Sequence, residues 1–155
     1  MTHRILEVEF LDPRVVALRD QMAVEMAELY GEVRHGAGAE GIDPDSVIVC
    51  LLALDGERPV GTASLRHLRD LVEVKRMYVL PRTRGTGLAP RLLREVEQRA
   101  AAVTDRVVLH TGERQRAAIA LYRRHGYRPI EIYAPYDQVP ESVCFAKDLR
   151  PVDHS

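Results

Sequence analysis

The chain has 155 residues, about the size of one domain, and is 46% hydrophobic, 29% charged and 5% aromatic, which excludes disordered and fibrous classes. Its net charge of −1 conceals a polarity along the chain. Residues 1–74 carry 7 Arg against 14 Asp and Glu, whereas residues 75–155 carry 15 Lys and Arg against 9 Asp and Glu. If both halves line one cleft, one wall favours cations and the other favours anions.

Several functional classes are excluded by the same inventory. No apolar stretch approaches the roughly 18 residues of a membrane helix, and the start of the chain lacks the apolar segment of a signal peptide. Cys50 and Cys144 are predicted to be core thiols, which indicates a cytoplasmic protein. The six histidines lack metal-ligand spacing, so no metal is expected. The arginines are scattered and not interleaved with aromatics, so no nucleic-acid partner is expected.

The first half of the chain predicts a strand, a long helix and a hairpin. Residues 5–10 alternate as a half-buried strand does, and Asp12-Pro13 then begins a helix that reaches about Tyr30. The glycine-rich residues 31–45 predict a loop with room for a short helix. Residues 47–54 form a continuous apolar run, and Asp55-Gly56 turns the chain into a partner strand at residues 59–67.

The second half of the chain predicts four strands and two helices. Residues 71–79 alternate as a strand, and apolar residues from Leu88 to Val103 trace one face of a helix. A strand at 107–110, a helix at 117–125 closed by Gly126, and strands at 127–133 and 142–149 complete the chain. The prediction is therefore one α+β domain over residues 1–150, with a frayed tail at 151–155. Its mixed sheet has about seven strands and about four flanking helices.

The segment that carries the clearest chemistry is the turn after the strand at 71–79, with sequence VLPRTRGTGLA. Gly85 and Gly87 allow the backbone to aim several N–H groups at one point, and the following helix N-terminus attracts anions. An ordinary strand-to-helix turn explains the same glycines. A Walker loop is excluded because no Gly-Lys-Ser/Thr follows, and Pro90 opposes a dinucleotide fingerprint.

Two motifs in correct order resemble those of the GNAT superfamily of N-acetyltransferases. Arg82-x-x-Gly85-x-Gly87 is similar to the superfamily's R/Q-x-x-G-x-G/A turn, and AIALYRRHGY, at residues 118–127, is similar to its later signature. The resemblance covers residues 71–130, and the order of the remaining elements agrees. It implies acetyl-CoA as co-substrate, without a metal, and a V-shaped opening between the fourth and fifth strands.

The resemblance also implies which residues bind the cofactor. The backbone of Met77, Tyr78 and Val79 would pair with the pantetheine arm. The N–H groups of Arg84, Gly85, Thr86, Gly87, Leu88 and Ala89 would hold the pyrophosphate, and Arg82 and Arg84 would add positive charge. Gln115 stands where the superfamily commonly has Asn, so its contact with the cofactor is open.

The expected reaction is direct attack of an amine on the thioester in a ternary complex. Tyr122 matches the superfamily's general acid, although a Tyr on this helix face is also typical of a core residue. Two residues compete as general base, and Glu73 is preferred over His110. Glu73 lies on the strand before the turn, and His110 ends the neighbouring strand where many members carry Glu. Either has a structural explanation as well, Glu73 as an outward residue and His110 as a hydrogen-bonded strand end. The oxyanion would accept from an N–H near Val79.

The acceptor is expected to be a small-molecule primary amine, in a cleft bordered by residues 22–42, 64–67 and 133–142. Glu25, Glu28 and Glu32 follow one helix face and would attract a cationic amine, unless they are simply solvated. The loop at 134–141 carries Tyr136 and is expected to close over a small substrate. Two alternatives are a non-catalytic acyl-CoA-binding module and an acetyltransferase acting on protein N-termini or lysines. The resemblance also allows a homodimer.

Overall fold

The fold is a mixed seven-stranded sheet, given by a computed structural model that describes residues 2–31 and 41–149. The strands are β1 Arg4–Val8, β2 Val47–Asp55, β3 Arg58–Leu68, β4 Leu71–Val79, β5 Arg106–Gly112, β6 Arg128–Ile130 and β7 Ser142–Asp148. Their spatial order is β1-β2-β3-β4-β5-β7-β6. Every neighbouring pair is antiparallel except β4 and β5, which are parallel. The predicted α+β class and mixed sheet of seven strands are confirmed.

Three α-helices lie in the described part of the chain, namely α1 Pro13–Tyr30, α2 Leu88–Ala100 and α3 Arg116–Arg124. Three short 3-10 helices, Pro44–Ser46, Pro81–Thr83 and Tyr136–Gln138, complete the described elements. The estimate of about four helices counted a short helix within residues 31–45. Most of that loop lies outside the described residues, as do Glu32 and the tail predicted at 151–155, and its described end forms only the first 3-10 helix.

The helices pack on opposite faces of the sheet. A Cβ added to Gly61 of β3 would lie 3.1 Å from Leu92 of α2, whereas Cys50 of β2 contacts Arg19 of α1. Cys50 pairs with Ser64, which is three residues from Gly61 on β3, and residues an odd number apart on a strand face opposite sides. The sheet therefore has an α1 face and an α2 face. The core between α2 and the sheet contains Leu92, Val96 and other fully buried apolar side chains.

A β-bulge interrupts β4 before its end. Thr62 pairs with Tyr78 but Ser64 pairs with Lys75, so Arg76 and Met77 together oppose one residue of β3. Arg76 has φ 56, in the left-handed region that non-glycine residues seldom adopt. The simple alternation expected for residues 71–79 is therefore wrong at this point, and residues 72–76 are buried without a break.

The remaining local predictions differ mainly at element ends. Asp12 caps α1 by accepting the N–H of Arg14 at 2.9 Å, and Gly31 ends it in the left-handed conformation, as helix-end chemistry requires. The strand expected at 127–133 is only Arg128–Ile130, since the chain leaves the sheet before Tyr133. Both cysteines are buried free thiols. No helix in residues 2–31 and 41–149 is long and apolar enough to cross a membrane.

Candidate functional site

The parallel strands β4 and β5 separate soon after they meet. Their pairing is limited to Glu73 with Val108 and Val74 with Leu109, although β4 continues to Val79. This is the V-shaped opening expected between the fourth and fifth strands. The last residues of β4 therefore keep one edge without a neighbouring strand in the described sheet.

Strand geometry decides which polar groups of β4 face this opening. The N–H of Leu80 donates to the carbonyl of Val60 on β3 at 2.9 Å, so residue 80 directs its backbone groups toward β3. Successive residues of a strand direct their N–H and C=O to opposite edges. The N–H and C=O of Val79 therefore point away from β3, into the gap between β4 and β5. An extended ligand arm can pair with this edge as an additional strand does.

The turn that follows β4 has the conformation that its glycines predict. Gly85 and Gly87 have φ values of 83 and 88, and Gly87 is the N-cap of α2. Both glycines are exposed, with nothing within 4 Å of an added Cβ. Thr86 stabilises the turn by donating its hydroxyl to the carbonyl of Thr83 at 2.7 Å. Gly85 and Gly87 are thus required for their backbone conformation, because a side chain at either position would meet no close neighbour.

Most of the predicted N–H donors remain available in this turn. The N–H of Arg84 donates to the carbonyl of Pro81 at 3.2 Å, so it is used within the 3-10 helix. No backbone acceptor in the described chain takes the N–H groups of residues 85–89, which lie at the positive end of the α2 dipole. These groups fit a pyrophosphate, whose oxygens would supply the missing acceptors.

Arg84 connects this turn to α1 rather than standing open to solvent. Its Nε donates to the carbonyl of Val79 at 3.0 Å, and its Nη2 lies 2.8 Å from Glu25 Oε2. The guanidinium of Arg84, followed by the hydroxyl of Tyr78, lowers the pKa of Glu25. Glu25 is therefore an ion-pair partner and not a solitary acid. Arg82 is exposed beside the turn.

An acidic groove runs between α1 and the end of β4. Its volume is about 460 Å³. It lies beside the cofactor turn and is the described remnant of the acidic face predicted for the acceptor side. The lining residues are Asp20, Gln21, Val24, Glu25, Glu28, Tyr78 and Pro81.

Tyr122 lies on α3 in an aromatic cluster. Its ring meets Tyr127 edge-on at 5.7 Å and Phe145 at 6.3 Å between centroids, and only 8% of the residue is exposed. Burial raises the pKa of Tyr122 to about 12. The phenol is therefore protonated at neutral pH, which is the state that a proton donor needs.

The two candidate bases occupy different environments. Glu73 is fully buried, accepting from Arg66 Nε at 2.8 Å through Oε1 and from the Tyr133 hydroxyl at 2.6 Å through Oε2. It is therefore not an outward-facing strand residue. His110 is partly exposed, with Nε2 at 2.9 Å from Ser142 Oγ. Its ring stacks on Tyr136 with a centroid distance of 3.8 Å.

Gln115 caps α3 with its backbone. Its carbonyl accepts the N–H of Ile119 at 3.0 Å, and its side-chain amide lies 3.3 Å from the position of a Cβ on Gly112. The side chain therefore packs at the end of β5, beside the gap, in the position where the superfamily commonly has Asn.

A feature that sequence reasoning missed is a group of buried cations on the α1 face, here called the basic cluster and consisting of Arg19, Arg66, Lys75 and Arg76. All four residues are at most 8% exposed. Lys75 is one of only two lysines in an arginine-rich chain, which was the available signal. Desolvation lowers the pKa of Lys75 to about 8 and that of Arg76 to about 10.

Tyr136 joins the loop before β7 to the basic cluster. It is 1% exposed, and its hydroxyl accepts from Lys75 Nζ at 2.6 Å and from Arg66 Nη2 at 3.2 Å. The loop expected to cover the acceptor thus already packs on the α1 face. Within residues 2–31 and 41–149, no three His, Cys, Asp or Glu side chains are grouped as a metal site would require.

The opened parallel pair and the glycine turn at the start of α2 agree with the architecture that the resemblance to N-acetyltransferases implies. The sequence model of the Acetyltransferase (GNAT) family matches residues 10–127, and the chain belongs to this family.

Three relatives illustrate how similar the chain is to known proteins. An "IAA acetyltransferase" of Azospirillum brasilense is 41% identical over 78 residues, which are 50% of this chain and 51% of that protein. The chain thus matches about half the length of this curated relative. A crystal structure from Klebsiella pneumoniae, described as an acyl-CoA N-acyltransferase, is 28% identical with a TM-score of 0.81, over 96% of this chain and 99% of that one. A GNAT family acetyltransferase of Elizabethkingia anophelis, solved with acetyl-CoA bound, has 17% identity and a TM-score of 0.68 over 94% and 97% of the two chains.

Proposed function

We propose that residues 1–150 form a catalytic domain that transfers acetyl from acetyl-CoA to a primary amine of a small molecule. The observation that carries this proposal is the pairing of β4 with β5, which ends at Val74 and leaves the edge of Val79 facing the gap beside the turn at 85–89. Family membership supplies the acyltransferase class. A cytoplasmic location agrees with the two free thiols.

The cofactor site we propose has two parts. The end of β4 from Met77 through Tyr78 to Val79 lies along the pantetheine arm, with the backbone groups of Val79 pairing with it because those of Tyr78 face β3, and the N–H groups of residues 85–89 bind the pyrophosphate. The Elizabethkingia anophelis acetyltransferase solved with acetyl-CoA bound supports this assignment by its shared fold. Arg84 can also bind the phosphates, but its Nε must first release the carbonyl of Val79. The pantetheine arm needs that same carbonyl as a hydrogen-bond acceptor. Gln115 completes the edge of the gap.

Acetyl-CoA, when bound, supplies the thioester carbonyl that the amine attacks. The N–H of Val79 faces the gap and is the donor we assign to the carbonyl oxygen. We assign the general-acid role to Tyr122, because its buried phenol stays protonated and can donate to the departing thiolate.

For the general base we favour His110 over Glu73. The hydroxyl of Ser142 donates to the carbonyl of Val139 at 2.7 Å, so its single proton is committed and Ser142 Oγ accepts from His110 Nε2. His110 is also partly exposed, whereas Glu73 is fully buried. Both oxygens of Glu73 already accept hydrogen bonds inside the protein.

A small-molecule acceptor is supported by the curated relative, whose name describes an acetyltransferase of a compound abbreviated IAA. If the protein instead acetylates protein N-termini or lysines, turnover is expected on peptides. A non-catalytic module predicts acetyl-CoA binding without turnover on either class.

The test combines calorimetry with a thiol-release assay on a panel of small amines and N-terminal or lysine peptides. We expect saturable acetyl-CoA binding and turnover with small amines. Binding without release of thiol would contradict the enzyme, and absence of binding at millimolar acetyl-CoA would contradict the cofactor site.

The pH dependence of the same assay separates the bases. We expect His110→Gln to remove the acidic limb of kcat/KM, because that limb reports protonation of the base. The folded fraction of the Glu73→Gln protein should still show the acidic limb of kcat/KM. The opposite outcome would assign the base to Glu73.

A further inference from the structure

Two members of the basic cluster, Lys75 and Arg76, lie on β4, the strand that carries the proposed cofactor edge. Cys50, Ser64 and Lys75 form one cross-strand row over β2, β3 and β4 on the α1 face. Arg19 reaches this row from α1, with Nη2 3.6 Å from Cys50 Sγ and its guanidinium 3.6 Å from the ring centre of Phe10. The row therefore lies on the face of the sheet that α1 covers.

Two buried members of the basic cluster, Arg19 and Lys75, form no ion pair with a carboxylate within residues 2–31 and 41–149. Glu73 is the carboxylate that contacts the basic cluster, and it is committed to Arg66 at 2.8 Å. Lys75 donates to a neutral phenol, that of Tyr136. Asp20, next to Arg19 in sequence, is exposed and forms no ion pair with it in this part of the structure. Buried charges are normally paired, so this excess of positive charge is costly without an anion.

Two buried polar atoms in the same region have no hydrogen-bond partner within the described chain. They are Arg19 Nε and Ser64 Oγ, on residues that are 6% and 1% exposed. Leaving such atoms unpaired is unfavourable, and functional sites are where proteins retain them. One guanidinium N–H donor and one hydroxyl, beside a lysine ammonium, form a set suited to a carboxylate.

We propose that the acetyl acceptor carries a carboxylate in addition to its amine, and that Arg19, Ser64 and Lys75 bind it. Arg76 adds positive charge beside them. The bound carboxylate replaces the phenol of Tyr136 as the partner of Lys75 Nζ, exchanging a neutral hydrogen bond for an ion pair. The acceptor class is therefore amino acids or longer amino carboxylates. This inference rests on the proposed function, since it names the acceptor of that reaction.

The acidic groove beside Tyr78 has a compatible role. Its free carboxylates attract the ammonium end of the same acceptor, while the basic cluster attracts the other end. The two charged ends would then select against simple amines. Glu25 contributes less to this attraction because Arg84 neutralises it.

The test uses matched acceptors in the thiol-release assay. Each α- or ω-amino acid is compared with its own primary amide, and with the aminoalkylphosphonate of the same length. Because hydrogen bonds to a charged group are stronger than neutral ones, we expect kcat/KM for the acid to exceed that for the amide by about tenfold or more. Equal rates for acids and amides in the wild-type protein would overturn the proposal, as would a preference for phosphonates.

Variants test which residues cause the preference for an amino acid over its amide. We expect Lys75→Met and Arg19→Gln to reduce the acid-to-amide ratio mainly through KM, with acetyl-CoA affinity unchanged, and Lys75→Arg to restore part of it. Arg58→Gln, at an exposed arginine on β3, is the matched control and should leave the ratio unchanged. An unchanged ratio in folded Lys75→Met and Arg19→Gln proteins would overturn the assignment to this cluster.

A binding experiment separates this inference from the reaction itself. If acetyl-CoA binds but no amine is acetylated, the proposed function fails. Calorimetry with glutarate, an inert dicarboxylate, on the CoA-loaded protein then tests the cluster alone. Millimolar or tighter binding that Lys75→Met weakens at least about tenfold supports the anion site. No measurable binding by the wild-type protein overturns it.

Discussion

Gly87→Ala is the sharpest perturbation of the turn before α2. Gly87 has φ 88, and no atom lies within 4 Å of an added Cβ. The substitution therefore introduces backbone strain and no collision. The left-handed conformation costs an L-residue about 1–2 kcal/mol, offset by about 0.4–1 kcal/mol because alanine restricts the unfolded chain.

The expected loss of stability is therefore about 1 kcal/mol, equivalent to about 2–4 °C in Tm for a domain of this size. The effect on the cofactor should be larger. Relief of the strain rotates the N–H groups of residues 87–89 away from their common point, and a hydrogen bond to a charged group contributes about 1.5–3 kcal/mol. Loss of one such bond weakens CoA binding by roughly 10- to 100-fold.

Gly56→Ala is the matched control, because Gly56 has φ 61 and an equally open Cβ position in the turn between β2 and β3. Thermal unfolding should report similar destabilisation in both variants, while calorimetry should report weaker CoA binding in Gly87→Ala alone. Equal CoA affinity for Gly87→Ala and Gly56→Ala, with both proteins folded, would refute the assignment of this turn to the pyrophosphate.

Three further predictions concern the interior of the site. Glu73→Gln should lower the free energy of unfolding in urea by about 3–5 kcal/mol, because it leaves Arg66 buried without its ion-pair partner; Glu57→Gln, in an exposed pair, should change it little. The pKa of Lys75 is lowered to about 8 in the folded protein from 10.5, so the unfolded chain binds more protons and stability should rise between about pH 8 and 10.5. Lys75→Met should abolish that rise, and an unchanged slope would contradict the low pKa. Tyr122→Phe should reduce kcat about 100-fold or more with little change in CoA affinity, whereas Tyr127→Phe should spare kcat and lower stability by losing its bond to Glu97; similar kcat losses in both would remove Tyr122 as the acid.

The order of the elements was predictable because each carries its own local signal. Asp12-Pro13 marks the start of α1, the apolar run before Asp55-Gly56 marks β2 and its turn, and Gly87 marks the start of α2. Capping, turn formation and left-handed backbone are properties of a few adjacent residues. The resemblance to the GNAT superfamily added the opening between β4 and β5, which the pairing confirms.

Some structure within those elements could not be predicted from periodicity. The bulge at Arg76 shifts the register of β4 by one residue, and periodicity cannot detect a shift that only the pairing with β3 defines. The early end of β6 likewise depends on where the chain must leave the sheet for Tyr133 to reach Glu73.

Short motifs were enough to identify the fold family, the glycine turn before α2 and the candidate groups Tyr122, Glu73 and His110. Tertiary contacts were needed to show that Glu73 is enclosed by Arg66 and Tyr133, and that Lys75 shares a buried row with Ser64 and Cys50. Burial and charge pairing arise between residues distant in sequence. Their energies depend on desolvation, which no local pattern encodes. Positive charge is therefore concentrated in two places, at the turn before α2 and beneath α1, and the second includes Arg19 and Arg66 from the acidic half of the chain.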